Sequence, residues 1–377
     1  MPGTFLDTAR RLATTAIAAV DPERLVREEL ARREARFDAV LAVGKASAAM
    51  ARGARELRAP KKLLIRPHSS PALLDPGWEQ KTGGHPLPDR QSLAAGERLR
   101  EWLEGIAPGQ TLLALISGGA SACLELPAPG LDLQDLVEAH RGLLASGLPI
   151  GEVNAERKRL SALKGGGALR LTQGRVLALL LSDVPGDDPG TIASGLFAGP
   201  GVENIVIGSV RLAMEMVAAG ARRQGFAVSE GELTGEASRA ARDLVARGRS
   251  LEGPAVALVL GGETTVTVRN GDGRGGRNGE LALAAARELG SGVPGQEEVV
   301  LSLATDGEDG TTGTAGAAVD AGTWEAIRRA GIDPEAALAR HDSLTALEKA
   351  PGALLRTGVT GTNVGDLAIY LRRACVE

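Results

Sequence analysis

The sequence predicts an α/β protein in two domains, an N-terminal doubly wound, Rossmann-like parallel sheet followed by a smaller C-terminal α/β domain. Three observations carry that reading. Short, continuously apolar runs recur at residues 39–43, 63–65, 111–116 and 176–181, with glycine-bearing turns after the first, third and fourth. Such runs suit strands buried on both faces of a parallel sheet. Helix-compatible segments fill the intervals, at 45–57, 91–103, 132–144, 152–163 and 208–224. Finally, 377 residues are too many for one ordinary core, and the pattern restarts past Gly231. This gives a nucleotide-binding N-terminal domain over residues 1–230 and a second domain over 231–377.

In chain order, residues 5–36 read as two helices broken at Asp21-Pro22, the second a charged run that makes a solvated face. The restart comprises a helix at 235–248, a strand at 255–260, an alternating Thr/Val strand at 264–268, a helix at 277–289 and a strand at 299–304. A hydrophobic fraction of 43% with 24% charged residues is that of a soluble globular chain. At 2% aromatic residues the core must be mostly aliphatic, which argues against base-stacking platforms. A net charge of -4 argues against nucleic acid in the same way. Two cysteines make no disulfide framework, and four scattered histidines lack zinc-ligand spacing. The N-terminus reads as an amphipathic helix containing Arg10 and Arg11 rather than a signal peptide, and no apolar run spans a bilayer. The expectation is a cytoplasmic protein with no membrane and no nucleic-acid partner.

Glycines are the compositional anomaly, and the stretch 261–280 concentrates them. It combines a glycine turn, the Thr/Val run, a second glycine turn with Arg274 and Arg277, and a helix start. Close backbone approach, a helix N-terminus and two cations make a phosphate site; a glycine-rich hairpin with solvated arginines is the plainer alternative. Gly271 to Gly276 also satisfies G-x-G-x-x-G, although the run before it alternates and the next strand end, which should carry the ribose-binding acid, lies too far on at Asp306. Gly44-Lys45 sits at a strand-to-helix turn without the remainder of a Walker A loop, so Lys45 is either a phosphate ligand or a surface lysine.

Ser117, Gly118, Gly119, Ala120 and Ser121 follow a buried strand and make a better phosphate cradle, or else an ordinary turn. The cationic segment 154–167 ends in Lys164, Gly165 and Gly166 with one further glycine, which also reads as a helix stop. Two acidic loops follow strands: Asp183 with Asp187 and Asp188, and Asp306 with Glu308 and Asp309. Carboxylates there can hold Mg²⁺ or accept a proton from a hydroxyl, and turn chemistry alone also favours Asp and Gly. Together, cations, amides and carboxylates are the inventory of phosphoryl transfer.

In order, the motifs Ala42 to Ser47, His85 to Asp89, Ser117 to Ser121, the basic segment, Ser182-Asp183-Val184, Gly261 to Val268, Gly273 to Asn278, Ala304 to Gly307 and Thr360 to Val364 resemble the glycerate 2-kinases of the MOFRL type. The resemblance runs from about residue 5 to 372. It implies ATP-dependent phosphorylation of D-glycerate at the 2-hydroxyl with Mg²⁺, in a cleft between the Rossmann-like domain and the MOFRL domain. It further implies that Lys45 and Arg277 are the catalytic cations. On this reading Ser117 to Ser121 and Lys164 to Gly166 bind ATP, while Arg274, Asn278 and Glu263 bind substrate. Asp183 orients the hydroxyl or, with Asp306, holds Mg²⁺. Some relatives carry a hydroxypyruvate reductase name, so an NAD(P)H-dependent reductase and a non-catalytic nucleotide-binding protein remain the alternatives. A monomer or homodimer is expected. Gly279, Val359, Gly365 and Arg159 depart from the usual pattern and bear on fine substrate preference.

Overall fold

Every apolar run anticipated in the first half becomes a strand of one sheet. The computed structural model describes residues 4–145, 150–268 and 273–375. Its strands are β1 (Ala39–Val43), β2 (Lys61–Pro67), β3 (Glu79–Gly83), β4 (Thr111–Ser117), β5 (Arg175–Leu181) and β6 (Val202–Gly208), then β7 (Ala227–Leu233), β8 (Ala255–Gly262), β9 (Gln296–Ala304), β10 (Gly316–Asp320), β11 (Leu354–Leu355) and β12 (Asp366–Ala374). The first six form a sheet in the order β3-β2-β1-β4-β5-β6, parallel throughout. β1 is buried at every position because it pairs on both sides, with β2 and β4, and is covered on both faces. Aliphatic side chains such as Leu41, Ile65, Leu112 and Ile116 pack there with Leu99 and Trp102 of the helix Arg90–Glu104.

The other six strands form a mixed sheet, β11-β10-β9-β12-β8-β7, in which only β7 and β8 run parallel. Its helix Arg277–Leu289 begins and ends where the sequence predicts and buries a row of alanines and leucines. The last long strand, β12, inserts between β8 and β9 and carries the buried run Leu367 to Leu371.

The division of the chain differs from the one expected. One compact unit comprises Asp21–Ser209 with Gly361–Val364; the other comprises Met1–Val20, Val210–Thr360 and Gly365–Glu377. The boundary falls at 209/210 rather than near 230, because the helix Val210–Arg223 packs on β7 and β8. The N-terminal helix Phe5–Ala19, started by a reciprocal Thr4–Asp7 cap, joins the same unit. Leu12 approaches Gly220 so closely that a Cβ there would lie 2.7 Å from its Cδ2. Phe5 stacks on Phe226 at 6.2 Å and lies under the Arg373 guanidinium. The break at Asp21-Pro22 is real: Asp21 caps the helix Pro22–Ala31, with proline at its first position.

Two local expectations are corrected. Residues 264–268 form no strand; Thr265 makes a single bridge to Glu236 and bonds to the Gly235 carbonyl, and Val268 is exposed, so the Thr/Val alternation marks an irregular segment and not a half-buried strand. The helix expected over 45–57 is Ser47–Gly53, shortened because Lys45 and Ala46 donate their amides to the Ser117–Gly118 turn.

Candidate active site

In the parallel-sheet unit, the strand order reverses between β1 and β4, and the turns after both strands lie side by side. Open α/β sheets bind ligands at that point, outside the carboxyl ends of the strands. Gly44, with φ +109°, follows β1, and a Cβ on it would sit 2.5 Å from Ser117 Oγ and 2.7 Å from Gly118 O. Only glycine permits that approach. The Lys45 amide donates to Gly118 O at 2.9 Å and the Ala46 amide to Ser117 Oγ at 3.0 Å, which ties the two turns together. Lys45 is thereby placed at the switch point, where a Cβ on Gly119 would come 2.9 Å from its Cγ. Asp183 follows the neighbouring strand β5, and its carboxylate lies directly against the α-carbon of Gly118. Asn363 Nδ2 donates to Asp183 Oδ2 at 3.3 Å. Lys45, the Gly118-Gly119 turn and Asp183 are therefore brought together.

The rest of the expected nucleotide cradle is engaged in contacts within the fold. Ser117 is buried, its hydroxyl accepting from Ala46 and donating to Val43 O, so it builds the turn instead of facing a ligand. Lys164 is 2% exposed and pairs with the fully buried carboxylate of Glu125. Burial lowers its pKa, against the raising effect of Glu125. The Gly165 and Gly166 amides donate to Ser194 O and Gly195 O at 2.9 and 2.7 Å, so these two donors anchor the loop after β5. Ser121 Oγ bonds Ser194 Oγ at 2.9 Å, and Ala120 is buried.

In the mixed-sheet unit, Arg277 opens the helix Arg277–Leu289. Its guanidinium forks onto buried Asp366, with Nη2 to Oδ1 at 3.0 Å and Nε to Oδ2, and also reaches Glu263 at 3.0 Å. Burial raises the Asp366 carboxyl to about 7, while Arg277 and its hydrogen bonds pull it down. The net effect of the carboxylates is to hold Arg277 protonated. The helix N-terminus is not open to an anion. Asp309 already caps it, Oδ1 accepting from the Asn278 amide at 2.9 Å and Oδ2 from the Gly279 amide at 2.8 Å. Asn278, expected at the substrate, is 1% exposed and bonds Ser302 and Asp309.

The glycines before Arg277 also have a structural reason. A Cβ on Gly273 would collide with Arg340 O, and one on Gly275 would lie 2.5 Å from His341 O. Arg274 donates its amide to Asp342 Oδ1 at 3.0 Å, while its exposed side chain stands 3.9 Å from Glu348. Gly271 and Asp272, which begin the G-x-G-x-x-G match, lie outside the described residues. Asp306 accepts the Glu308 amide at 3.0 Å, as an aspartate at a turn does. Among the described residues no group of three or more His, Cys, Asp or Glu is arranged to hold a metal. Asp183 as a single hard carboxylate fits only an ion that brings phosphate and water ligands of its own. Sequence reasoning missed Asn363, Asp366 and Glu125. Only Asn363 stood in a motif already singled out, Thr360 to Val364.

Comparison with known proteins places the chain in a family. Residues 8–203 match a domain of unknown function, DUF4147, and residues 256–366 match the MOFRL family. The D-glycerate 2-kinase of Thermotoga maritima is 36% identical over 98% of this chain and 99% of its own. A glycerate kinase crystal structure from that organism superposes with a TM-score of 0.85 at 35% identity, covering 97% of this chain and 99% of that one. The glycerate 2-kinase of Pyrococcus horikoshii is 33% identical over 96% of both chains. The chain belongs to the glycerate 2-kinases of the MOFRL type.

Proposed function

We propose that the protein transfers the γ-phosphoryl group of ATP to the 2-hydroxyl of D-glycerate, giving 2-phosphoglycerate and ADP. The observation that carries this reading is the convergence of Lys45, the Gly118-Gly119 turn and Asp183 at the carboxyl ends of β1, β4 and β5, at the switch point of a parallel sheet. A transferring phosphoryl group spreads negative charge over its oxygens, so a cation and a preorganised turn stabilise it more than they stabilise bound substrate. Lys45 supplies that cation. Asp183 accepts the hydroxyl hydrogen bond or holds Mg²⁺; when bound, that ion would neutralise phosphate oxygens. In the mixed-sheet unit Arg277, held by Asp366 and Glu263, is the guanidinium for a substrate anion, with Arg274 beside it in sequence.

Product identification by NMR after incubation with ATP and D-glycerate tests the reading directly. 2-Phosphoglycerate is expected; 3-phosphoglycerate, or no phosphorylated product, would count against it. Replacing Lys45 by Ala should lower kcat by roughly a hundredfold or more, the usual loss for a transition-state donor. Turnover near wild type would remove Lys45 from the chemistry. The reductase alternative predicts loss of NAD(P)H absorbance on adding hydroxypyruvate without ATP, and we expect none.

A further inference from the structure

We propose that Asn363 is a positioning residue for phosphoryl transfer, holding the Asp183 carboxylate in place over Gly118; the inference rests on the reading of Asp183 given above. The four residues Gly361–Val364 belong to the parallel-sheet unit, although the residues on both sides, Thr360 and Gly365, belong to the other. Gly361 (φ +83°) and Gly365 (φ +96°) make the reversals at either end, which a side chain would strain. Within the excursion Thr362, Asn363 and Val364 are all buried. Within this excursion the buried Asn363 side-chain amide donates from Nδ2 to Asp183 Oδ2 at 3.3 Å. Gly118 closes the other side: a Cβ there would overlap the carboxylate and come within 2.5 Å of Nδ2.

Asp183 is therefore confined between a glycine and a donor. A carboxylate that must present one oxygen to a hydroxyl or a hydrated cation gains from having the other oxygen held, because small misplacements at a reacting centre are costly in rate. Asparagine meets the need and aspartate, of the same shape, does not: the Nδ2 donor becomes a second anionic acceptor.

The test compares Asn363→Ala, Asn363→Asp, Asp183→Asn and the exchanged pair Asp183→Asn with Asn363→Asp, in the full-length protein, with kcat corrected for the folded fraction from circular dichroism. Both Asn363 variants should lose about tenfold to a hundredfold in kcat, the value of a hydrogen bond to a charged group, with KM for ATP within about twofold. Thermal midpoints give a readout independent of activity: the exchanged pair, which restores an amide facing a carboxylate, should be more stable than Asn363→Asp alone while staying inactive. Wild-type kcat in both Asn363 variants, alongside a hundredfold loss in Asp183→Asn, overturns this inference and leaves Asp183 in the mechanism. An exchanged pair no more stable than Asn363→Asp also overturns it, since the contact would then not exist. Wild-type turnover in Asp183→Asn removes both readings.

Discussion

Gly118 is the residue on which the most geometry converges. Its missing side chain is the space taken by the Asp183 carboxylate, so Gly118→Ala should displace that carboxylate by more than any conservative change at Asp183 itself. We expect kcat to fall about a hundredfold, with a loss of about 1 to 3 kcal/mol in urea unfolding from overpacking. Unchanged turnover would detach Asp183 from the reaction. Lys164 shows the opposite relation between residue type and role. A lysine in a glycine-rich turn has the composition of a phosphate ligand, yet its ammonium is spent on buried Glu125. Removing one member of such a pair leaves an uncompensated charge, so Lys164→Met should cost about 3 to 5 kcal/mol. Denaturant unfolding checks this, and replacing Glu125 as well should recover much of the loss. Nothing local in the sequence separates Lys45 from Lys164, because burial is set by the segments that close over each side chain.

Among elements, the helix Arg277–Leu289 is legible in the sequence over its whole length. Its alanines and leucines lie in a run, 278–286, that is buried on every face, and a glycine stands at each end. What caps it is not legible. The capping carboxylate comes from Asp309, about thirty residues downstream, and its aspartate loop reads equally well as a metal site. Asp309→Ala leaves two helix amides without a partner and should cost about 2 kcal/mol or more in urea unfolding, the upper range for a cap. Retention of full stability would mean that water replaces the carboxylate. The edge strands escaped sequence reading for a related reason. β3, β6 and β7 each pair on one side only, so they carry residues such as Glu79, Glu203 and Glu230 and lack the continuous apolar run that marks β1, β4 and β5. The run from Thr360 to Asp366 shows how much a short loop does within each unit: the Thr360 amide bonds Asp306 O, Asn363 bonds Asp183, and Asp366 holds Arg277.

At the scale of the molecule, two buried groups make stability depend on pH with opposite signs. His140 is fully buried, its Nδ1 donating to Leu136 O at 2.8 Å and its Nε2 without a hydrogen-bond partner among the described residues. Burial first, then the nearby cations Lys164 and Arg157, push its pKa down to about 4. An unfolded histidine takes up its proton near 6.5 and the folded one only near 4, so this group costs stability as pH falls through that interval. Asp366, raised from 3.8 to about 7, binds a proton in the folded state first and so contributes stability as pH falls through its own interval. The two oppose each other between about pH 6.5 and 4. Replacing His140 by Met should therefore shift the difference in thermal midpoint between pH 7 and pH 5 toward greater stability at pH 5. An unchanged difference would show that His140 does not govern the acid limb.

The sequence by itself determined the α/β class, the doubly wound parallel sheet, the buried strands and the ordered motifs that mark the family. It could do so because burial on two faces and helix periodicity are written in consecutive residues. Tertiary structure alone decided the domain boundary, the assignment of the first helix to the C-terminal unit, and which charged residues are buried against partners. Lys45 lies at the switch point, Lys164 is buried against Glu125, and Asp309 caps a helix, whereas Asp183 lies against Gly118. The difference comes from partners far away in the chain: a charge is made structural or functional by whether another segment neutralises and buries it, and no local pattern encodes that.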